Sequence, residues 1–256
     1  MNEFSSDSLA IITGASSGIG RATAMAFAEK GLKLSLLARS ERDLSEVATE
    51  VMDRGASDVR YFVCDVREEA EVNRAIASTL DHFGRIDVLI NSAGLSLNGE
   101  VDGYSLEDWR TVIDTNLTGT FLTCRGVIPA MKRQDGGQII NISSGAGKNG
   151  IKEMAAYCAA KFGVIGFTES LALEVRNRNV RVAVLIPGSV ATGFSRVARR
   201  AGSRDSDNGG SREIGYAMTA DEVASVIVVM LEQPAQAWMS EVTLRPLNLE
   251  LRRTLS

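Results

Sequence analysis

The sequence predicts one α/β domain of the doubly wound type, a seven-stranded parallel sheet with helices on both faces. Three observations predict it. Short apolar runs alternate with longer helical patterns from end to end; the runs are apolar at successive positions rather than at every second one; and a glycine-rich turn follows the first of them. Parallel strands need crossover segments between them, and a strand covered on both faces reads as a continuous apolar run. The 256 residues suffice to bury one substantial core, so 1–256 is read as a single domain.

Seven runs read as strands: "LAIIT" (9–13), "KLSLLA" (33–38), "VRYFVCD" (59–65), "IDVLIN" (86–91), "GQIINIS" (137–143), "VRVAVLIP" (180–187) and "MSEVTLRP" (239–246). Between them, apolar residues recur at helical spacing over 20–31, 41–55, 68–84, 106–131, 155–177 and 219–233, and several of these segments end at a glycine, as helices commonly do. One segment breaks the rhythm. "GFSRVARRAGSRDSDNGGSREIG" (193–215) is rich in Gly, Ser and Arg and poor in large apolar residues. A loop of this length reads either as a mobile lid over a substrate or as local disorder, and both hold if it orders over a ligand.

Composition narrows the function classes. At 45% hydrophobic and 23% charged residues the chain is globular rather than disordered, and its net charge of −4 gives no reason to expect nucleic acid as a partner. Cys64, Cys124 and Cys158 are odd in number and widely spaced, which fits reduced thiols. The single histidine, His82, has no ligand-spaced companion, so no metal site is expected. No basic segment followed by an apolar stretch opens the chain and no window approaches the roughly 18 apolar residues of a membrane span. The expectation is a cytoplasmic protein with no membrane partner.

"TGASSGIG" follows the first strand and opens the first helix near Ile19, with Gly14, Gly18 and Gly20 spaced GxxxGxG. A dinucleotide pyrophosphate must approach bare N–H groups at a helix N-terminus, which glycine permits; Gly14, Ser16, Ser17, Gly18, Ile19 and Gly20 are therefore cofactor-binding candidates. About 20 residues on, where an acid would bind the ribose of NAD, the chain has Arg39 and Ser40 in "LLARS". A guidinium favours a 2′-phosphate where a carboxylate would repel it, so NADP is expected over NAD, with Ser16 and Ser40 as further phosphate partners.

"YCAAK" sets Tyr157 and Lys161 one helical turn apart on one face. Taken alone, the pair also fits an ordinary amphipathic helix with an exposed lysine. Ser144 in "NISSG", thirteen positions earlier, and Asn116 in "DTNLTG" change the reading. Together with "CDV", "NSAG" and "PGSVAT" they make the chain resemble the short-chain dehydrogenase/reductase family over nearly its whole length, in the single-domain, NADP-preferring form.

The resemblance implies a Rossmann fold and an NADP(H)-dependent oxidoreductase that interconverts a carbonyl and an alcohol. It implies that Tyr157 exchanges a proton with the carbonyl oxygen, Ser144 hydrogen-bonds that oxygen, Lys161 binds the nicotinamide ribose and lowers the tyrosine pKa, and Asn116 holds a relay water. It implies cofactor contacts at Asp65 and Val66, at Asn91, Ala93 and Gly94, and at Pro187, Gly188, Val190 and Thr192. A homo-oligomer, dimer or tetramer, is implied through the two long helices carrying Asn116 and Tyr157 and through the last strand. The family's usual "NNAG" is "NSAG" here, with Ser92 in second place, and Ser144 is preferred over Ser143 by its spacing to the tyrosine. The alternative reading is an NADP-binding regulatory or scaffold protein without turnover. The substrate is not legible: "EVTLRPL" is similar to relatives that reduce sepiapterin or simple ketones, and the loop arginines fit either an anionic substrate or solvent.

Elementary electrostatics supports the division of labour. An ammonium about 4 Å from a phenol, at an effective dielectric near 20, favours the phenolate by about 4 kcal/mol, roughly three pKa units. Desolvation opposes it, and the expected net is a lowering of about one to three units.

Overall fold

A computed structural model describes residues 6–192, 199–200, 217–234 and 236–247, with only the backbone considered at 199–200. The chain forms a seven-stranded sheet from β1 (Leu9–Thr13), β2 (Lys33–Ala38), β3 (Asp58–Val63), β4 (Val88–Asn91), β5 (Gly137–Ile142), β6 (Val180–Pro187) and β7 (Glu241–Leu244). All pairings are parallel, in the order β7-β6-β5-β4-β1-β2-β3. The winding reverses between β1 and β4, which opens a crevice at their carboxyl ends, the place where doubly wound sheets bind ligands.

The inner strands are apolar at most successive positions because alternate residues feed two separate cores. Ala10 and Ile12 of β1, Leu34 and Leu36 of β2 and Ile90 of β4 pack with Phe27, Leu44 and Ile227 from helices α1 (Gly18–Ala28), α2 (Glu41–Asp53) and the final helix at Ala220–Leu231. Leu9, Ile11, Leu37 and Leu89 point the other way, to Val72, Ile76, Val127 and Leu171. Those four come from α3 (Glu69–Phe83), α5 (Gly119–Arg133) and α6 (Ala155–Val175). Each large side chain so buried contributes about 1.5–3 kcal/mol of transfer free energy.

The continuous-burial expectation fails at the two edges. Tyr61 and Val63 of β3 are exposed and β7 alternates exposed with half-buried positions, because an edge strand has neighbours on one side only. The predicted helix over 106–131 is also modified: it runs as α4 (Leu106–Ile113), a π turn over Asp114–Thr118, and α5. The 193–215 segment read as a lid or a disordered loop lies outside the described residues, except that the backbone of Arg199–Arg200 pairs in parallel with Leu97–Asn98. No helix among the described residues is long and apolar enough to cross a membrane. The final helix, α7 (Ala220–Leu231), starts at a reciprocal capping box between Thr219 and Glu222.

Candidate active site

The candidate reacting groups gather at the carboxyl ends of β4 and β5. Ser144, just past β5, is extended and caps a short 3₁₀ turn, accepting the Ala146 N–H at 3.2 Å. Its hydroxyl also hydrogen-bonds the Tyr157 phenol from α6. Its neighbour Ser143 points into the protein and donates to the Lys161 carbonyl at 3.0 Å. The serine choice made from spacing thus coincides with the hydroxyl that reaches the tyrosine.

On α6, Tyr157 and Lys161 share a face that is buried rather than solvated; Lys161 is 5% exposed. The exposed-lysine reading of this pair is therefore excluded. Lys161 Nζ donates to the Ile142 carbonyl at 2.9 Å and stands 5.6 Å from the tyrosine ring centroid. Asn116 sits in the π turn, where the Gly119 N–H reaches back five residues to the Asp114 carbonyl. One such turn rotates a side chain relative to the regular helix, and π turns recur at functional sites. The Asn116 amide donates to the carbonyls of Leu95 and Val112, both at 2.8 Å, while its Oδ1 is buried and has no partner among the described residues. A Cβ built on Gly94 would lie 2.8 Å from that oxygen and 3.7 Å from Lys161 Nζ, so Asn116, Lys161 and the bare backbone of Gly94 meet in one place.

Charge does not follow the sequence expectation. Burial pushes the Tyr157 phenol up to about 12, only partly offset by the Ser144 hydrogen bond. The expected lowering is not seen because Lys161 turns its ammonium to the Ile142 carbonyl instead of the phenol oxygen, and burial drives Lys161 itself down to about 8.

The glycine turn leaves β1 at the winding reversal. Gly14 and Gly18 have φ of +65° and +53°. A side chain on Gly14 would meet the Ala93 backbone at 2.9 Å, and one on Gly20 would meet the Gly14 carbonyl at 2.4 Å. Packing within the protein therefore also requires these two glycines to be bare, while a side chain on Gly18 would point toward the Thr192 methyl. Ser16 is half-buried, Ser17 is exposed at the N-cap of α1 with no side-chain capping bond, and Ile19 packs onto the core.

The description of short chain dehydrogenase fits residues 8–202 as a family model. The chain belongs to the short-chain dehydrogenase family. An uncharacterized oxidoreductase from Staphylococcus saprophyticus is 36% identical over 240 residues, covering 94% of this chain and 97% of that one. A metagenomic short-chain oxidoreductase solved with NADP is 32% identical with a TM-score of 0.80, covering 94% and 98% of the two chains. A xylitol dehydrogenase solved with NAD⁺ is 29% identical with a TM-score of 0.84, covering 95% and 99%.

For a short-chain dehydrogenase the remaining sequence candidates fall at the ends of four strands. Arg39 is exposed and Ser40 caps α2, accepting the Asp43 N–H at 3.4 Å. Asp65 follows β3 and is gripped by Arg67, while Val66 is buried against Gly119. Asn91 is 4% exposed, and its amide donates to Asn141 at 2.9 Å and to the Cys124 sulfur at 3.3 Å, so its side chain ties β4 to β5. Ala93 and Gly94 form the wall beside Asn116. Pro187 ends β6, the Gly188 N–H donates to Leu244, Val190 packs on the core, and Thr192 closes the turn with its N–H on the Val190 carbonyl.

The residues present fit a nicotinamide dinucleotide: the glycine turn follows β1, Arg39 follows β2, and the Gly94 backbone with the orphaned Asn116 Oδ1 beside it follows β4, all at the carboxyl ends of neighbouring strands. Sequence reasoning missed the polar groups that hold this crevice in shape. Thr13 Oγ1 accepts the N–H groups of Ser92 and Ala93, both at 3.1 Å, which pins the "NSAG" turn despite its serine. Thr123 donates to Asn91 and Asn141 donates to Thr168. Their signal was available: Thr13 and Asn141 are polar residues inside runs otherwise apolar. Elsewhere, His82 meets Asp58 at 2.8 Å near the surface, and the buried Cys64 and Cys124 thiols are pushed up to about 12 by desolvation, which makes them unreactive. A polar cavity of ≈ 200 Å³ among Ser8, Arg85, Asp87, Gln134 and Arg181 lies at the amino ends of the strands, remote from this site.

Proposed function

We propose that this oxidoreductase reduces a ketone or aldehyde to an alcohol, reversibly, with NADP(H) as its coenzyme. The observation that carries the reading is the Ser144–Tyr157 hydrogen bond set beside the buried Lys161 and the bare Gly94 backbone. A bound nicotinamide dinucleotide supplies the hydride in reduction and accepts it in oxidation. Gly14 to Gly20, Arg39, Asp65, Asn91 to Gly94 and Pro187 to Thr192 would hold it.

The chain's own residues manage the proton. Ser144 donates its hydroxyl to the carbonyl oxygen and draws electron density from the carbonyl carbon. Tyr157 stands beside Ser144 and gives its phenolic proton to that same oxygen as it becomes an alkoxide. A phenol held at about 12 by burial is fully protonated at neutral pH, the form reduction requires. The positive charge of Lys161 then stabilises the phenolate left behind, and a water on Asn116 Oδ1 returns the proton toward Lys161 and Tyr157. Oxidation runs the same steps backward and needs the phenolate. Its rate is expected to rise about tenfold per pH unit below the tyrosine's working pKa, while reduction stays flat near neutrality.

The test is coenzyme-linked turnover of purified protein across keto acids, ketoesters, diketones, steroids, pterins and acyl thioesters, with NADPH and NADH in parallel. Tyr157→Phe should lose at least about 100-fold in kcat and keep its NADPH affinity. Undiminished turnover in that variant would refute the assigned chemistry. We also infer that the protein works as a homo-oligomer, since α5 exposes Phe121 and α6 exposes Phe162 and Leu173.

A further inference from the structure

Arg39 and Asp65 leave the sheet side by side. β2 and β3 are paired in register through Ala38 and Val63, and the Cys64 N–H closes on the Ala38 carbonyl at 2.8 Å. The Arg39 charge adds to the causes that lower the Asp65 pKa, as the smallest of them after Arg67. A carboxylate at this corner is unfavourable for a phosphate-bearing nucleotide, since it repels what Arg39 attracts.

Arg67 resolves the conflict. Its Nε donates to both Asp65 oxygens at 3.0 Å, its Nη2 donates to Oδ2 at 2.6 Å, and its backbone N–H donates to Oδ1 at 3.0 Å. The Asp65 N–H is in turn held by Glu71 at 2.8 Å. Burial raises the Asp65 pKa, but the Arg67 hydrogen bonds outweigh it and keep the group ionised and paired. The Asp65 side chain is only 17% exposed, so the pairing is shielded from bulk solvent.

We propose that Arg67 is a positioning residue for coenzyme choice: it clamps the Asp65 carboxylate and cancels its charge beside Arg39, so that a 2′-phosphate is tolerated next to an acid. The inference rests on the NADP(H) reading above. It differs from direct phosphate binding by Arg67, whose Nε and Nη2 are already committed to Asp65.

Equilibrium dissociation constants of NADPH and NADH, read by coenzyme fluorescence, test it in wild type, Arg67→Ala, Asp65→Asn and the double variant. Arg67→Ala is expected to weaken NADPH about tenfold or more and NADH less than about twofold, because only NADPH brings two further negative charges to the exposed acid. In the Asp65→Asn background the same substitution is expected to change NADPH affinity by less than about threefold, since no carboxylate is left to cancel. Equal losses for both coenzymes would mean a merely structural clamp, and a full loss in the double variant would mean direct contact with the phosphate; either overturns the inference. Should Arg67→Ala not fold, Asp65→Asn against the double variant decides alone by the same criterion. A wild type that binds NADH as tightly as NADPH refutes the NADP(H) reading, and this inference with it; a wild type that prefers NADPH while Arg67→Ala keeps the preference refutes only the inference.

Discussion

Lys161 is an ammonium with 5% exposure, one carbonyl acceptor and no ion pair among the described residues. Burial lowers its pKa from 10.5 to about 8. Below pH 8 the folded protein carries this desolvated charge and is destabilised by it; between about 8 and 10.5 the folded state has released a proton that the unfolded state still binds, so stability from this group rises with pH. Lys161→Met should therefore raise the unfolding free energy at pH 7 by something on the order of 3 kcal/mol in urea titrations, with the advantage shrinking toward pH 10, while turnover collapses. A methionine variant that is less stable at pH 7 would show the charge to be compensated. At the coenzyme end, Arg39→Asp is expected to reduce the NADPH to NADH ratio of kcat/KM by at least about tenfold; an unchanged ratio would assign phosphate reading to another group. Tyr157, Lys161, Ser144 and Asn116 were legible as candidates because their chemistry and spacing are written in the chain. The orientation of Lys161 toward Ile142 was not, since it depends on which carbonyl the β5 end presents.

Element by element, the seven strands and the helices between them were found within a few residues from apolar runs and helical spacing. The π turn at Asp114–Thr118 was not, because one added residue in a turn leaves the apolar period nearly unchanged. The β1–α1 turn shows what a motif conceals. Its glycine spacing suggests a ligand, and packing gives Gly20 a further reason to be bare: the Gly14 carbonyl lies 2.4 Å from where a Cβ would stand. The atoms it would meet belong to the backbone of Gly14 and Ala15, so no side chain can yield. Gly20→Ala should destabilise the protein by about 1–3 kcal/mol and weaken coenzyme binding together, measured by denaturation and by fluorescence titration. Loss of binding with unaltered stability would return Gly20 to the ligand-contact class.

For the whole molecule, winding reversal between β1 and β4 sets the glycine turn, Arg39, Asp65, Asn91 and Ser144 at one edge of a single sheet. The helices that carry Asn116 and Tyr157 expose apolar side chains on their outer faces, with Phe121 edge-on to Phe167 at 6.2 Å and Arg125 over the Phe121 ring. Light scattering with size exclusion is expected to give a dimer or tetramer, and Leu173→Lys on the exposed face of α6 to shift it to a smaller species. A wild type that is monomeric at micromolar concentration would refute this. The sequence by itself determined the fold class and nominated the candidate reacting groups, because apolar periodicity and short motifs are local properties of the chain. Tertiary structure alone decided that Lys161 turns to the Ile142 carbonyl, that burial raises the Tyr157 pKa, and that Arg67 pairs with Asp65. Those outcomes depend on desolvation and on directional hydrogen bonds, which exist only once distant segments have been packed together.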